Sequence, residues 1–99
     1  VRGITPLMYG ARYGNSDVCE VLLDYQAALD LRDVHGMTAL IVATCHGHYS
    51  VVDLLIKAGA DTTVKTHEGK TALDLAYARK HGKIAKILKQ ANKSIQAIR

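Results

Sequence analysis

The chain has no Trp and no Phe, a single Pro and only two Cys in 99 residues. Without those large rings a core must be built from Leu, Ile, Val and Ala. That set suits closely packed helices better than a sandwich of bulky inward side chains. Two cysteines make no disulfide framework, so an intracellular, reducing setting (cytoplasm or nucleus) is expected. No uninterrupted apolar run approaches the ~18 residues a membrane span requires. The opening VRGITPLMYG lacks the charged region, apolar stretch and cleavage site of a secretory signal. It reads as an excerpt cut at a boundary between repeats. At 48% hydrophobic, the composition supports a packed core, and the length suits one small domain spanning 1–99.

Acidic residues are scarce in one place. Residues 1–64 hold four Lys/Arg against seven acids, whereas residues 65–99 hold nine Lys/Arg against only Glu68 and Asp74. The net charge of +4 therefore hides an acidic front and a strongly basic last third.

What is present is a period of 33 residues. Gly3, Gly36 and Gly69 are each followed two residues later by Thr5, Thr38 and Thr71, and then by Leu7, Leu40 and Leu73. Val18, Val51 and Ile84 keep the interval, as do Val21, Leu54 and Ile87, and Leu22, Leu55 and Leu88. No gap is needed, and six independent positions agree three times over. Each unit opens on a Gly turn, and Thr then stands where its hydroxyl can cap a helix by accepting a backbone N–H. Pro6 follows at the first helical position, where its missing N–H costs nothing. A first helix of small residues leads to Gly14, Gly47 or, displaced by two, Gly82, because Lys80 occupies the expected glycine position. A second helix follows with apolar residues at helical spacing, ending at Gly59 in the middle unit.

A unit of G-x-T-P/A-L, a small-residue helix, G-H, a Val/Leu helix and G-A-D resembles the ankyrin repeat. The likeness covers the chain as repeats 1–32, 33–65 and 66–99. It is closest in the middle unit, with DVHGMTAL and GHYSVVDLLIKAGAD in register. The resemblance implies an all-α solenoid of stacked helix-turn-helix units with β-hairpin-like loops projecting from them. Lys83, Lys86, Lys89, Gln90 and Lys93 on the last helix suit a solubilising C-terminal cap. Unit 1 shows no such substitution, since Leu7, Val18, Val21 and Leu22 are as apolar as in an internal unit. Upstream units or a capping helix are therefore expected, with this stretch the C-terminal end of a longer array.

Several clusters invite chemistry. CHGH places Cys45, His46 and His48 within four positions. A zinc site needs three or four converging ligands, and no second cluster stands at metal-ligand spacing. A Cys–His nucleophile needs an orienting group and an oxyanion site, and no motif supplies either. His48 falls at the G-H position, for which the resemblance implies a hydrogen bond within the loop between units. Cys19 reads as a small core residue. GARYGN is neither a P-loop nor a dinucleotide fingerprint. The chain is thus expected to be no enzyme and to need no cofactor or metal.

The resemblance implies a monomeric scaffold or adaptor module that binds another protein through the hairpin tips and the groove side of the first helices. Carried over position by position, the tips are Arg2 and Ile4, His35 and Met37, Glu68 and Lys70. The first helices contribute Arg12 and Tyr13, Cys45 and His46, Ala78 and Arg79. Cations outnumber the single acid here, so the expected partner is an acidic segment with an apolar anchor. The alternative is contact of the basic last helix with anionic lipid or nucleic acid, although only Tyr77 interleaves with its cations for base stacking.

Overall fold

The computed structural model describes residues 3–98, and side chains through Ser94. Its helices are α1 (Pro6–Tyr13), α2 (Ser16–Asp24), α3 (Ala39–Cys45), α4 (Tyr49–Lys57), α5 (Ala72–Ala78) and α6 (Gly82–Ile98). They form three helix pairs, here called units 1 to 3. No strand occurs among the described residues.

The period explains why the first helices begin where they do. Thr5, Thr38 and Thr71 are N-caps in extended conformation, their hydroxyl oxygens accepting from the N–H of Met8, Ile41 and Asp74 at 3.1, 3.3 and 3.1 Å. Each satisfies one of the donors a helix start leaves unpaired. In unit 3 the Thr71 N–H also donates to the Asp74 carboxylate at 3.0 Å, which closes a capping box. Helices this short are marginal alone, so packing must hold them.

That packing forms two layers. Within each unit the two helices are antiparallel neighbours, α1 with α2, α3 with α4 and α5 with α6. Between units like stacks on like, α1–α3–α5 in one layer and α2–α4–α6 in the other. The core lies at their junction. Leu40, Val51, Val52 and Leu55 in the middle unit are fully buried, joined by Leu7, Cys19, Ile84 and Leu88 from either side. Cys19, Val52 and Ala85 are repeat equivalents and all buried, so Cys19 is a packing residue.

Lys80 corrects the expected glycine shift. The first helices of units 1 and 2 end near Gly14 and Gly47, at φ of +69° and +74°. Lys80 holds the same left-handed turn at φ +60°, and Gly82 simply begins α6. Gln26 likewise takes the left-handed turn, φ +62°, that its equivalent Gly59 takes at +97°. The backbone repeats every 33 residues even where the glycine does not. At Gly14 and Gly47 the glycine has a second role, because a Cβ there would meet the rings of His48 and His81 at 2.5 and 2.8 Å. No later unit among the described residues lays a ring over Lys80, so a side chain is tolerated.

Candidate functional site

The loops between units project as tight turns rather than paired strands. Asp33 and Thr66 close them, their N–H groups donating to the carbonyls of Met37 and Lys70 at 3.0 and 2.9 Å. The Asp33 carboxylate also accepts from the N–H of His35 and Met37 at 2.8 and 3.0 Å, which fixes the first complete tip. Neighbouring loops are tied to each other. Arg32 donates to the carbonyls of Gly36 and Lys65, and the His67 N–H donates to the His35 carbonyl at 3.2 Å. On the far side of the first helices, the His48 ring nitrogen Nε2 lies 2.9 Å from the Arg12 carbonyl one unit back. The histidine of the G-H position thus ties the start of α4 to the last turn of α1 in the preceding unit, rather than bonding within its own loop as expected.

With tips and helices held in this way, the angle between them opens into two notches. The first, about 270 Å³, is lined by Ile4, Met8, Tyr9, Arg12, Tyr13, Asp33 and Val42. The second, about 380 Å³, is lined by His35, Met37, Cys45, Thr66, His67, Glu68, Leu75 and Arg79. They are the same place one unit apart: Ile4 becomes Met37, Arg12 becomes Cys45, Asp33 becomes Thr66 and Val42 becomes Leu75. The exchanges change the chemistry: both notches carry an arginine and a carboxylate, but the first is lined by tyrosines and the second by histidines and sulfur-bearing side chains.

The expected contact residues distribute as follows. Ile4, Arg12 and Tyr13 line the first notch, with the Arg12 guanidinium carbon 5.8 Å from the centre of the Tyr13 ring. His35, Met37, Cys45, Glu68 and Arg79 line the second. His46 is exposed between them, its ring stacked on that of His48 at 6.3 Å. Lys70 and Ala78 are exposed and line neither notch, and Arg2 falls outside the described residues. Cys45 is only 8% exposed, so its thiol offers a partner little surface. Sequence reasoning missed Tyr9, Asp33, Thr66 and His67. The repeat period pairs Asp33 with Thr66, but no sequence signal marks Tyr9 or His67 as lining a notch.

The electrostatics follow from burial and neighbouring cations. Burial pushes both the Cys19 and the Cys45 thiols up, and Arg79 opposes the rise only at Cys45. A buried neutral thiol is a poor nucleophile. The His46 imidazole is held below its usual range by desolvation and then by the charges of Arg12, His48 and Arg79. Among the described residues, no three His, Cys, Asp or Glu side chains converge as a metal site would require. The two notch walls are thus largely apolar, with one arginine and one carboxylate on each: Arg12 and Asp33, then Arg79 and Glu68.

The residues 1–66 match the family described as "Ankyrin repeats (3 copies)". The chain belongs to the ankyrin-repeat family. A search of curated proteins returns no match. Ankyrin repeats are generally protein–protein interaction modules and a non-catalytic fold that typically binds other proteins. The family match ends at Thr66, yet α5 and α6 repeat the caps and stacking of the pairs before them.

The outer layer of this ankyrin array carries a graded charge. Asp17, Glu20 and Asp24 of α2 are exposed, and that helix has no Lys or Arg. In α4, Asp53 and Lys57 pair at 3.0 Å. Along α6, Lys83, Lys86, Lys89 and Lys93 are exposed with no acid among them. Lys83 and Lys86 are the repeat equivalents of Asp17 and Glu20, so the sign reverses across two steps.

Proposed function

We propose that the chain binds a segment of another protein along the two notches, as an intracellular scaffold or adaptor. The observation that carries this reading is the repetition of one open notch at a 33-residue step, with different lining chemistry in each copy. An extended segment crossing both can place an apolar or aromatic anchor beside Met8, Tyr9 and Tyr13. Its acidic residues then face Arg12, His46 and Arg79. Tyr and Arg are the residue types that most often carry binding energy at an interface centre. Two free thiols, both buried, support the intracellular setting.

The test is selection of binders from a displayed random-peptide library, followed by affinity measurement. Selected peptides should share acidic residues around an apolar anchor. Replacing Arg12 and Tyr13 by Ala should weaken binding by ~1–3 kcal/mol without moving the melting curve, since both are exposed. Lys86→Glu with Lys89→Glu should leave that affinity unchanged.

A second reading is favoured by one observation, the acid-free row of exposed lysines on α6. Such a helix suits anionic lipid or nucleic acid, and binding of that kind collapses as salt rises. If the lysine pair matters more than the Arg12/Tyr13 pair, the second reading replaces the first.

A further inference from the structure

The two ends of the stack are finished differently. Five positions are exposed or less buried in unit 1 and covered in units 2 and 3, where a unit precedes. Pro6 is exposed whereas Ala39 and Ala72 are buried, and Tyr9 is exposed where Val42 is buried. Val18 is 43% exposed while Val51 and Ile84 are buried. Val21 is 53% exposed while Leu54 and Ile87 are half-buried, and Leu22 is half-buried while Leu55 and Leu88 are fully buried. These positions face the preceding unit, and four of the five (Pro6, Val18, Val21 and Leu22) are wholly apolar in unit 1.

Another set faces the following unit, being buried or half-buried in units 1 and 2 and exposed in unit 3. Met8 and Ile41 become Asp74, and Ala11 and Thr44 become Tyr77, which is 55% exposed. Leu23 and Ile56 become Lys89, and Ala27 and Ala60 become Lys93. Each end carries one exposed tyrosine; beyond it, this end meets water with Asp74, Lys89 and Lys93, and the opposite end with Pro6, Val18, Val21 and the half-buried Leu22. An exposed apolar patch of that kind marks a surface that is covered in the working protein.

We propose that this face carries a further ankyrin helix pair of the same chain, stacked on α1 and α2 by the 33-residue step that relates units 1, 2 and 3. The interface already exists twice in the molecule, between α1–α2 and α3–α4 and between α3–α4 and α5–α6. Its covering residues are small or aliphatic: Met8, Ala11 and Leu23, then Ile41, Thr44 and Ile56. The added pair therefore presents residues of that kind to Val18 and Val21. A second copy of the described chain fits less well. Face to face, two copies would bring Asp17, Glu20 and Asp24 of each α2 together with no cation on either helix to offset them. Head to tail, Lys89 and Tyr77 would fall where Leu23 and Ala11 pack.

The experiment extends the chain at either end by one unit and compares melting curves. Placing residues 1–33 ahead of Val1 gives the junction Asp33–Val1–Arg2–Gly3, close to the native Asp33–Val34–His35–Gly36. Placing residues 34–66 after Arg99 extends the other end. In a repeat array each new interface adds a nearest-neighbour contribution, so the N-terminal extension should raise Tm on the order of 10 °C. The C-terminal extension should raise it by less than half as much. Val18→Lys with Val21→Lys should move the 99-residue chain by no more than about 2 °C, because both are exposed there. The same pair, placed at the new junction of the extended chain, should abolish the gain. Equal gains at both ends, or none at the N-terminal end, would overturn the proposal. So would a dimer in sedimentation velocity of the 99-residue chain that the lysine pair dissociates, since a second copy would then be the occupant.

Discussion

Lys80→Gly is expected to stabilise the chain. Lys80 sits at φ +60°, where an L side chain crowds its own carbonyl at a cost of about 1–2 kcal/mol. Glycine removes that crowding, but it also frees the unfolded chain, which costs about 0.5–1 kcal/mol. The net gain is ~0.5–1 kcal/mol. A chain of this size shifts by about 4–8 °C per kcal/mol, so Tm should rise by ~2–8 °C in a thermal melt followed by circular dichroism. The lysine is exposed and no ion pair holds it among the described residues, so its charge contributes little in return. Lys80→Ala is the control, because it removes the charge and keeps the Cβ, and it should leave Tm within ~2 °C. The reverse change, Gly47→Ala, meets the left-handed turn and the His81 ring at 2.8 Å together, and should destabilise strongly. If Lys80→Gly melts no higher than Lys80→Ala, the left-handed strain at this turn is not what limits stability there.

Leu40→Ala should cost ~2–5 kcal/mol, since Leu40 is fully buried in the middle unit; a melt within a few degrees of the parent would contradict its place in the core. Cys19→Ala with Cys45→Ser should preserve the helical circular dichroism spectrum, and neither thiol should react quickly with a disulfide reagent until the chain unfolds, because both are buried with raised pKa. Asp74 is held below the usual carboxyl range by the Thr71 backbone N–H, and Asp61 by the Thr63 hydroxyl. A depressed folded-state pKa contributes stability that is complete above the unfolded value near 3.8 and is lost as pH falls below it, so Tm should drop less steeply over that range in Asp74→Asn than in the parent. His46 is held low by surrounding cations, so a bound acidic segment should draw a proton onto it. Peptide affinity should then rise as pH falls from 8 to 6, and His46→Gln should flatten that dependence.

Much of this structure was legible in the sequence because a repeat tests itself. Thr5, Thr38 and Thr71 announce three helix starts by position alone, and Leu7 and Leu40 appear as core. The period says which residues are equivalent, but not which flank of a helix each one occupies. Val18 and Cys19 are adjacent and both small and apolar, yet Cys19 packs against α1 within its unit and Val18 faces outward along the stack. That difference emerges only once the direction of stacking is known. Lys80 was unreadable for a related reason. Glycine signals a left-handed turn, but the turn is imposed by the stacked backbone, and lysine can be forced into it where no neighbouring ring demands the space. The notch residues Tyr9, Asp33, Thr66 and His67 lie on separate elements that only the fold brings together.

The reversal of charge from α2 to α6 makes the molecule an electric dipole rather than a simple cation. At physiological salt the field of a charge decays over about 8 Å, while the longest dimension here is 32 Å. A large partner approaching one end therefore feels that end alone, acidic or basic, and the net +4 describes neither. Near 0.01 M salt the screening length reaches about 30 Å, the two ends begin to be felt together, and the torque on an approaching charged partner acts along the axis of the stack. Lowering the salt thus changes the direction from which partners arrive as well as how fast.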